Sequence, residues 1–339
     1  MRQVVFALCT SSLVLACGGG SGDEGTAPDA AELTGEKFSL TWGPVNVPAG
    51  MEETQCIWMR LSNTTEIKVH QMHNVLSGGS HHLIVYKDDM DTTEQLTPVK
   101  CEPFTGALNS TGMIAPLAIT QRADDPIFLP KGVAYTFAAG QMVKLEMHYL
   151  NRGDTAQDVT AHVDFFSADP ATIQHEAAIL FTGSPDVNQP PGASTLHQFF
   201  KVPPSIDLSQ SKIFAITGHQ HALGTGVKVS VGPSKTGPMT EVYAPDPFNW
   251  SEPETVTPAE PFSVPTGGGF DFTCTWNNPG TSNVKFGESA KEEMCFFWAY
   301  YYPSQGSKVC FHTDSYGGAN GLDVCCPGDG LCSLIEGML

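Results

Sequence analysis

Met142-Val-Lys-Leu-Glu-Met-His-Tyr149 is the stretch on which the fold class turns. Leu145, Met147 and Tyr149 share one face of an extended chain, and Glu146 and His148 share the other. That period-two pattern belongs to a strand with two unlike sides. Similar runs recur in both directions, at Phe38-Ser-Leu-Thr-Trp42, His82-Leu-Ile-Val-Tyr86 and Val159-Thr-Ala-His-Val-Asp-Phe165. They continue at Ile179-Leu-Phe181, Thr195 to Val202, Lys212-Ile-Phe-Ala-Ile-Thr217, Val227-Lys-Val-Ser-Val231, Cys274-Thr-Trp276 and Cys295 to Tyr302. Clusters of Gly, Pro, Asn and Asp separate them at the spacing of a sandwich. With 34 Gly and 25 Pro the chain is turn-dense. No helical period runs beyond about ten residues, Lys291 to Trp298 coming nearest. The expected fold is therefore all-β, as two tandem jelly-roll-like β-sandwich domains. Roughly 300 residues beyond the leader exceed one ordinary core. Pro170 marks the boundary, giving domains 37–168 and 169–303. Gly232 to Pro265 reads as a long loop with one strand near Glu241-Val-Tyr243.

The N-terminus carries one charge, Arg2, then an apolar run from Val4 to Ala16. Residues 1–16 read as a secretory signal peptide, too short to span a bilayer. The small residue before Cys17 fits a bacterial lipobox, in which that cysteine takes a lipid. An ordinary signal cut near Ala16 is the alternative. Residues 17–36 hold too few large apolar groups to fold and read as a flexible, lipid-anchored linker. The expected location is an outer bacterial membrane, with the protein facing the periplasm or the cell surface and touching the membrane only through its lipid. The cysteines at 56, 101, 274, 295, 310, 325, 326 and 332 are even in number, which in an exported chain reads as four disulfides. Residues 304–339 form a cysteine-rich tail with little apolar mass, so disulfides are expected to hold it. A vicinal Cys325–Cys326 bridge would be strained, so Cys310 should pair with one of the two and Cys332 with the other. The net charge of −19 argues against nucleic acid or an anionic membrane face as partner. Sequons at Asn63, Asn109 and Asn249 are incidental in a bacterial setting, and no nucleophile elbow, phosphate loop or dinucleotide fingerprint occurs.

Histidines carry the chemistry. In His219-Gln-His221, residues i and i+2 of a strand face one side, so both imidazoles can reach one metal while Gln220 points away. Gly218 and Gly224 would let backbone and metal come close. A lone His-x-His is more often incidental. His81 and His82 can share an ion only at a strand end or bulge, a freedom that Gly78-Gly79-Ser80 supplies. His148 is their possible third partner, though a lone strand histidine is usually structural. His70 and His73 face opposite sides and read as structural or solvated. Met294 is core filler on physical grounds alone. Glu146 either orients His148 from behind or is a solvated strand glutamate. Several imidazoles with one thioether make a soft, nitrogen-rich set that suits copper, Cu(I) above all.

Taken in order, several segments resemble one family. They are Glu53-Thr-Gln-Cys56, His81-His-Leu-Ile-Val85, Met147-His-Tyr149 and Gly218-His-Gln-His-Ala-Leu-Gly224, then Cys274-Thr-Trp-Asn277 and Glu293-Met-Cys295 followed by Tyr300-Tyr-Tyr-Pro303. Together they resemble the copper type II, ascorbate-dependent monooxygenases, the group of peptidylglycine α-hydroxylating monooxygenase and dopamine β-monooxygenase. The resemblance runs from Trp42 to Pro303. It implies two coppers per chain, facing each other over an open cleft. His81, His82 and His148 would hold the copper reduced by ascorbate or a similar donor. His219, His221 and Met294 would hold the one that meets O2 and hydroxylates a substrate C–H bond. It also implies disulfides Cys56–Cys101 and Cys274–Cys295. The amidating members bind a peptide carboxylate with an arginine, an asparagine and a tyrosine. The matching places here hold Thr217, Phe296 and Trp298. Without a cation to pair a carboxylate, a small neutral or aromatic substrate is expected. The resulting expectation is a monomeric copper monooxygenase using O2 and a one-electron reductant. Its rival is a non-catalytic periplasmic lipoprotein that binds or transfers copper with the same ligands.

Overall fold

The computed structural model describes residues 32–104, 106–108 and 112–333. The signal peptide 1–16, Cys17, most of the linker 17–36 and the sequon at Asn109 lie outside the described residues. The first half contains β1 (Lys37–Val47), β2 (Glu52–Arg60), β3 (Ile67–Leu76), β4 (Ser80–Asp88), β5 (Gln95–Lys100), β6 (Ile114–Thr120), β7 (Asp124–Phe128), β8 (Val133–Phe137), β9 (Met142–Leu150) and β10 (Gln157–Ala168). The second contains β11 (His175–Glu176), β12 (Ala178–Ser184), β13 (Asn188–Gln189), β14 (Gly192–Lys201), β15 (Lys212–His219), β16 (Gly224–Gly232) and β17 (Thr240–Tyr243). It continues with β18 (Thr255–Val256), β19 (Gly269–Asn278), β20 (Val284–Lys285), β21 (Cys295–Tyr302), β22 (Lys308–Thr313) and β23 (Leu322–Cys326). Among the described residues, helical backbone is confined to two three-residue turns, at Pro170–Thr172 and Gly318–Asn320, and to Cys332 and Ser333 at the very end.

Alternation in the sequence becomes alternation in burial. β1 buries Phe38, Leu40 and Trp42 and exposes the residues between them. The first half forms two sheets, β1-β10-β3-β8-β11, with β7 added on β3, and β5-β2-β9-β4-β6. At the expected boundary, Asp169 caps a turn at Pro170–Thr172 by accepting from the Ala171 amide at 3.0 Å. β11 then returns to the first half, parallel to β8.

The second half has the sheets β18-β15-β21-β12-β22-β23 and β14-β19-β16-β17. β21 explains why its sequence is a continuous apolar run. Cys295, Phe297, Ala299 and Tyr301 point into the second half's core, while Phe296, Trp298 and Tyr300 join the core shared with the first half. A strand buried on both faces has no polar side to show. Each large side chain covered in this way contributes roughly 1.5–3 kcal/mol. Phe181 of β12 stacks on Phe296 at 5.0 Å and meets Phe104 of the first half at 4.9 Å. Both halves thus belong to one compact unit.

The cysteine-rich tail is not held by disulfides alone. β22 runs parallel to β12 and β23 pairs with β22, so the tail widens the main sheet. Val309, Phe311 and Val324 supply buried apolar mass that the Gly- and Asp-rich composition concealed. Cys310 is bonded to Cys325, directly opposite it in the ladder, and Cys326 to Cys332. Cys56–Cys101 and Cys274–Cys295 are also bonded.

Candidate metal centre

The first histidine set is made by β4 and β9. His82 lies opposite His148, and the register shifts between Ser80 and His82, which leaves His81 as the extra residue of a bulge. Gly79, at φ +85, takes the left-handed conformation that leads into it. The bulge lets neighbouring imidazoles turn to one side. Their Nδ1 atoms are 3.3 Å apart, and one ligand atom from each of His81, His82 and His148 lies within 4.8 Å of the others. Glu52 Oε1 sits 3.1 Å from Nε2 of His148 and accepts from the Ala290 amide, while its Oε2 accepts from the Ser289 hydroxyl. Led by the His148 bond, these partners hold its carboxyl down at about 2. An ionised carboxylate can only accept, so Nε2 of His148 carries the proton and Nδ1 is bare. That Nδ1 and Nε2 of His81 are buried without hydrogen-bond partners. Such orphaned ring nitrogens are costly, and a metal ion would satisfy them. The donor set fits a copper ion.

A second bulge aims the other set. Ile213 points into the second half's core, and strict alternation would send residues 215, 217 and 219 after it. The register of β15 against β21 shifts between Ile213 and Ala215. Parity then reverses: Ile216 enters the core, while Ala215 and His219 face the first half. Gly218 is on the core side, where a Cβ would come within 2.7 Å of Tyr243 and 2.8 Å of Val227. The ladder pairs His219 with Phe296; continued two residues, it sets His221 against Met294, just beyond both strand ends.

Hydrogen bonds fix the tautomers here too. Gln121 donates from Nε2 to the Trp250 carbonyl at 3.0 Å, so its Oε1, 2.8 Å from Nδ1 of His219, accepts. Nδ1 of His221 donates to the Glu292 carbonyl at 3.0 Å. Both imidazoles are left with a bare Nε2. Buried Glu293 pins the turn after them, accepting from the His221 and Leu223 amides and from the Trp276 indole. Two bare imidazole nitrogens beside a thioether form a soft set that also fits copper.

The two sets abut instead of facing each other over an open cleft. Ring centroids within the sets are 5.0–5.3 Å apart, and across them His81 lies 5.5 Å from His221 and 6.2 Å from His219. The apolar junction around Phe104 and Phe181 closes the gap, helped by the Tyr300 hydroxyl on the Ile119 backbone and the Ser307 hydroxyl on the Pro116 carbonyl. Burial, reinforced by neighbouring imidazoles, pushes His81, His82 and His219 well below the usual histidine range. Burial likewise brings His221 down to about 4. These four rings are neutral, the form in which imidazole binds a metal.

A cavity little wider than one water lies at this junction. His82, His219 and Met294 line one part of it; Ile84, Phe104, Ile119, Phe181 and Trp298 supply the apolar walls. Glu288 is its single acid. Burial, with Glu146 and Glu292 nearby, pushes Glu288 up to about 8, and its Oε1 has no hydrogen-bond partner.

Of the expected pocket residues, Trp298 lines the cavity. Thr217 instead bonds the Thr255 hydroxyl at 2.8 Å, and Phe296 stacks behind Phe181. Glu146 follows neither of its two readings. It is fully buried, with Lys144 Nζ and the Tyr86 hydroxyl each at 3.0 Å, because β9's polar face is covered. His70 bonds the Thr34 carbonyl and His73 pairs with Asp124, both away from the centre. Glu52, Gln121 and Glu288 had no signal in the sequence, since only register and junction packing bring them to the site.

An all-β architecture with four disulfides thus carries two clustered sets of soft ligands. Residues 185–319 match the family model described as copper type II ascorbate-dependent monooxygenase, C-terminal domain. That match supports the copper type II ascorbate-dependent monooxygenase family over this stretch of the chain. The matched stretch contains His219, His221 and Met294 and runs through β22; His81, His82 and His148 precede it. Among solved structures, PNGase F, a glycosylasparaginase from Flavobacterium meningosepticum, aligns over 80% of this chain and 97% of its own, at 10% identity and TM-score 0.32. The CUB1-EGF-CUB2 domains of rat MASP-1 align over 78% and 96%, at 12% identity and TM-score 0.17. Scores this low bear on neither fold nor function.

Proposed function

We propose that this protein hydroxylates a C–H bond of a small neutral or aromatic molecule, using O2 and electrons delivered singly by ascorbate or a similar donor. The observation that carries the reading is the junction cavity, where two imidazoles and a thioether meet five apolar walls without a cation. Bound copper would supply the one-electron chemistry that activates O2. His81, His82 and His148 would hold one ion, and His219, His221 and Met294 the other. Glu52 and Gln121 keep the ligand nitrogens bare and aimed. The aromatic walls exclude water. Glu288, neutral at pH 7, keeps a proton at the cavity wall, where it can donate a hydrogen bond to a polar group on the substrate. No lysine or arginine lines the cavity, so a peptide carboxylate would enter unpaired. The space is too narrow for an organic molecule, so substrate entry requires the two halves, or the segment carrying Glu288 and Ser289, to move.

We also place the protein outside the cytoplasm, held by a lipid on Cys17; four disulfides support an oxidising compartment. The test is to load the protein anaerobically with Cu(I), dialyse it and measure metal per chain. O2 uptake with small aromatic compounds and ascorbate is then followed. Two coppers and a product containing oxygen from O2 are expected. Tightly held copper with no substrate-dependent uptake would favour copper carriage over catalysis.

A further inference from the structure

A second pocket, of about 340 Å³, has His81 in its wall. That volume is in the range of small-molecule sites. Its wall includes Ser80, His81, Arg152, Trp250 and Ser251, drawn from both halves. Three features mark it as more than a surface dent. The Arg152 guanidinium lies 4.7 Å over the Trp250 ring. No carboxylate pairs with Arg152 among the described residues, although the chain carries 36 acids against 17 bases. The Ser80 hydroxyl, buried in the wall, has no hydrogen-bond partner.

We infer that this pocket binds the reductant, a small, planar, singly charged enediol of the ascorbate type. An unpaired guanidinium backed by an indole matches a delocalised monoanion, offering charge to its oxygens and a flat wall to its ring. The serine hydroxyls match the donor's own hydroxyls. Position supplies the rest: His81 is both a wall of the pocket and a member of the first histidine set. Given the function proposed above, an electron leaving the donor has one imidazole to cross. The donor monoanion gives up one electron and one proton to become its radical anion, the proton passing to solvent. Two such events supply the two electrons and two protons that convert R–H and O2 into R–OH and water.

Binding can be tested without copper, so its outcome is separate from that of the catalytic reading. Metal-free protein is titrated calorimetrically with ascorbate under argon, and with acetate and phosphate as plain anions. Saturable binding of one ascorbate per chain is expected, weakened about tenfold or more in Arg152→Gln and in Trp250→Ala. Lys235→Gln, in the lining of a different pocket, should leave it unchanged. In the copper-loaded protein, the same pocket variants should raise the ascorbate concentration needed for half-maximal reduction by a similar factor. No saturable binding, equal binding of acetate or phosphate, or undiminished binding in both pocket variants would overturn the assignment.

Discussion

Gln121 Oε1 accepts a hydrogen bond from Nδ1 of His219 across 2.8 Å and 98 positions of sequence, so an amide of the first half sets the tautomer of a proposed metal ligand in the second. Replacing that amide by Leu keeps the volume and removes the constraint. Gln121→Leu should weaken copper at the His219 set by about 10–100-fold while sparing the His81 set. Competition with a Cu(I) chelator, counting one weakened site out of two, checks this. Equal loss at both sites, or at neither, would count against it.

Glu52 joins His148 to the Ser289–Ala290 segment, so its charge bears on stability. Its folded carboxyl titrates at about 2 against an ordinary value of 4.5. The stabilisation is therefore present above pH 4.5 and lost as pH falls through 2. Glu52→Gln should cost on the order of 2 kcal/mol at pH 7 and progressively less below pH 4.5. Urea unfolding at pH 7 and pH 3 measures the two gaps; a constant gap would refute the prediction.

Met294 is buried and lines the junction cavity. Met294→Ile keeps an apolar group of similar size, so stability should change by less than about 1.5 kcal/mol. It should abolish substrate hydroxylation while leaving copper at the His81 set in place. Retained hydroxylation would break the assignment of Met294.

Glu288 works in the opposite direction to Glu52. Its folded carboxyl titrates at about 8, above the ordinary 4.5. The folded chain keeps a proton that the unfolded chain has lost between these values, so its contribution is full below pH 4.5 and disappears as pH rises through 8. Glu288→Gln should flatten the decline in stability between pH 5 and 8. Thermal melts across that interval test it, and parallel curves for the two proteins would be the contrary result.

A glycine-extended peptide should not be turned over. Thr217 is occupied with Thr255 and the cavity has no cation. Amidated product from such a peptide would show that the substrate enters elsewhere.

Much of this was legible in the chain. Alternation at Phe38 to Trp42 and around His148 gives strands, because one covered face and one open face write a period of two. The His219–His221 spacing gives a shared face, and the glycines before His81 give a bulge. Register is what local pattern lacks. It alone sets His82 opposite His148 and His219 opposite Phe296. β22 went unread because its apolar residues are few and count only once laid beside β12. The approach of the two histidine sets depends on packing between halves, which no local pattern encodes.

The bulge between Ile213 and Ala215 makes the orientation of the second ligand set a matter of counting. Deleting one residue there would leave every histidine in the sequence and rotate His219 into an apolar core. Composition, motif and spacing would all still read as a metal site, yet no metal could reach it. Chain length over three positions is thus as much a part of this centre as its imidazoles, and relatives that keep the His-x-His but lose that extra residue should be unable to bind metal there.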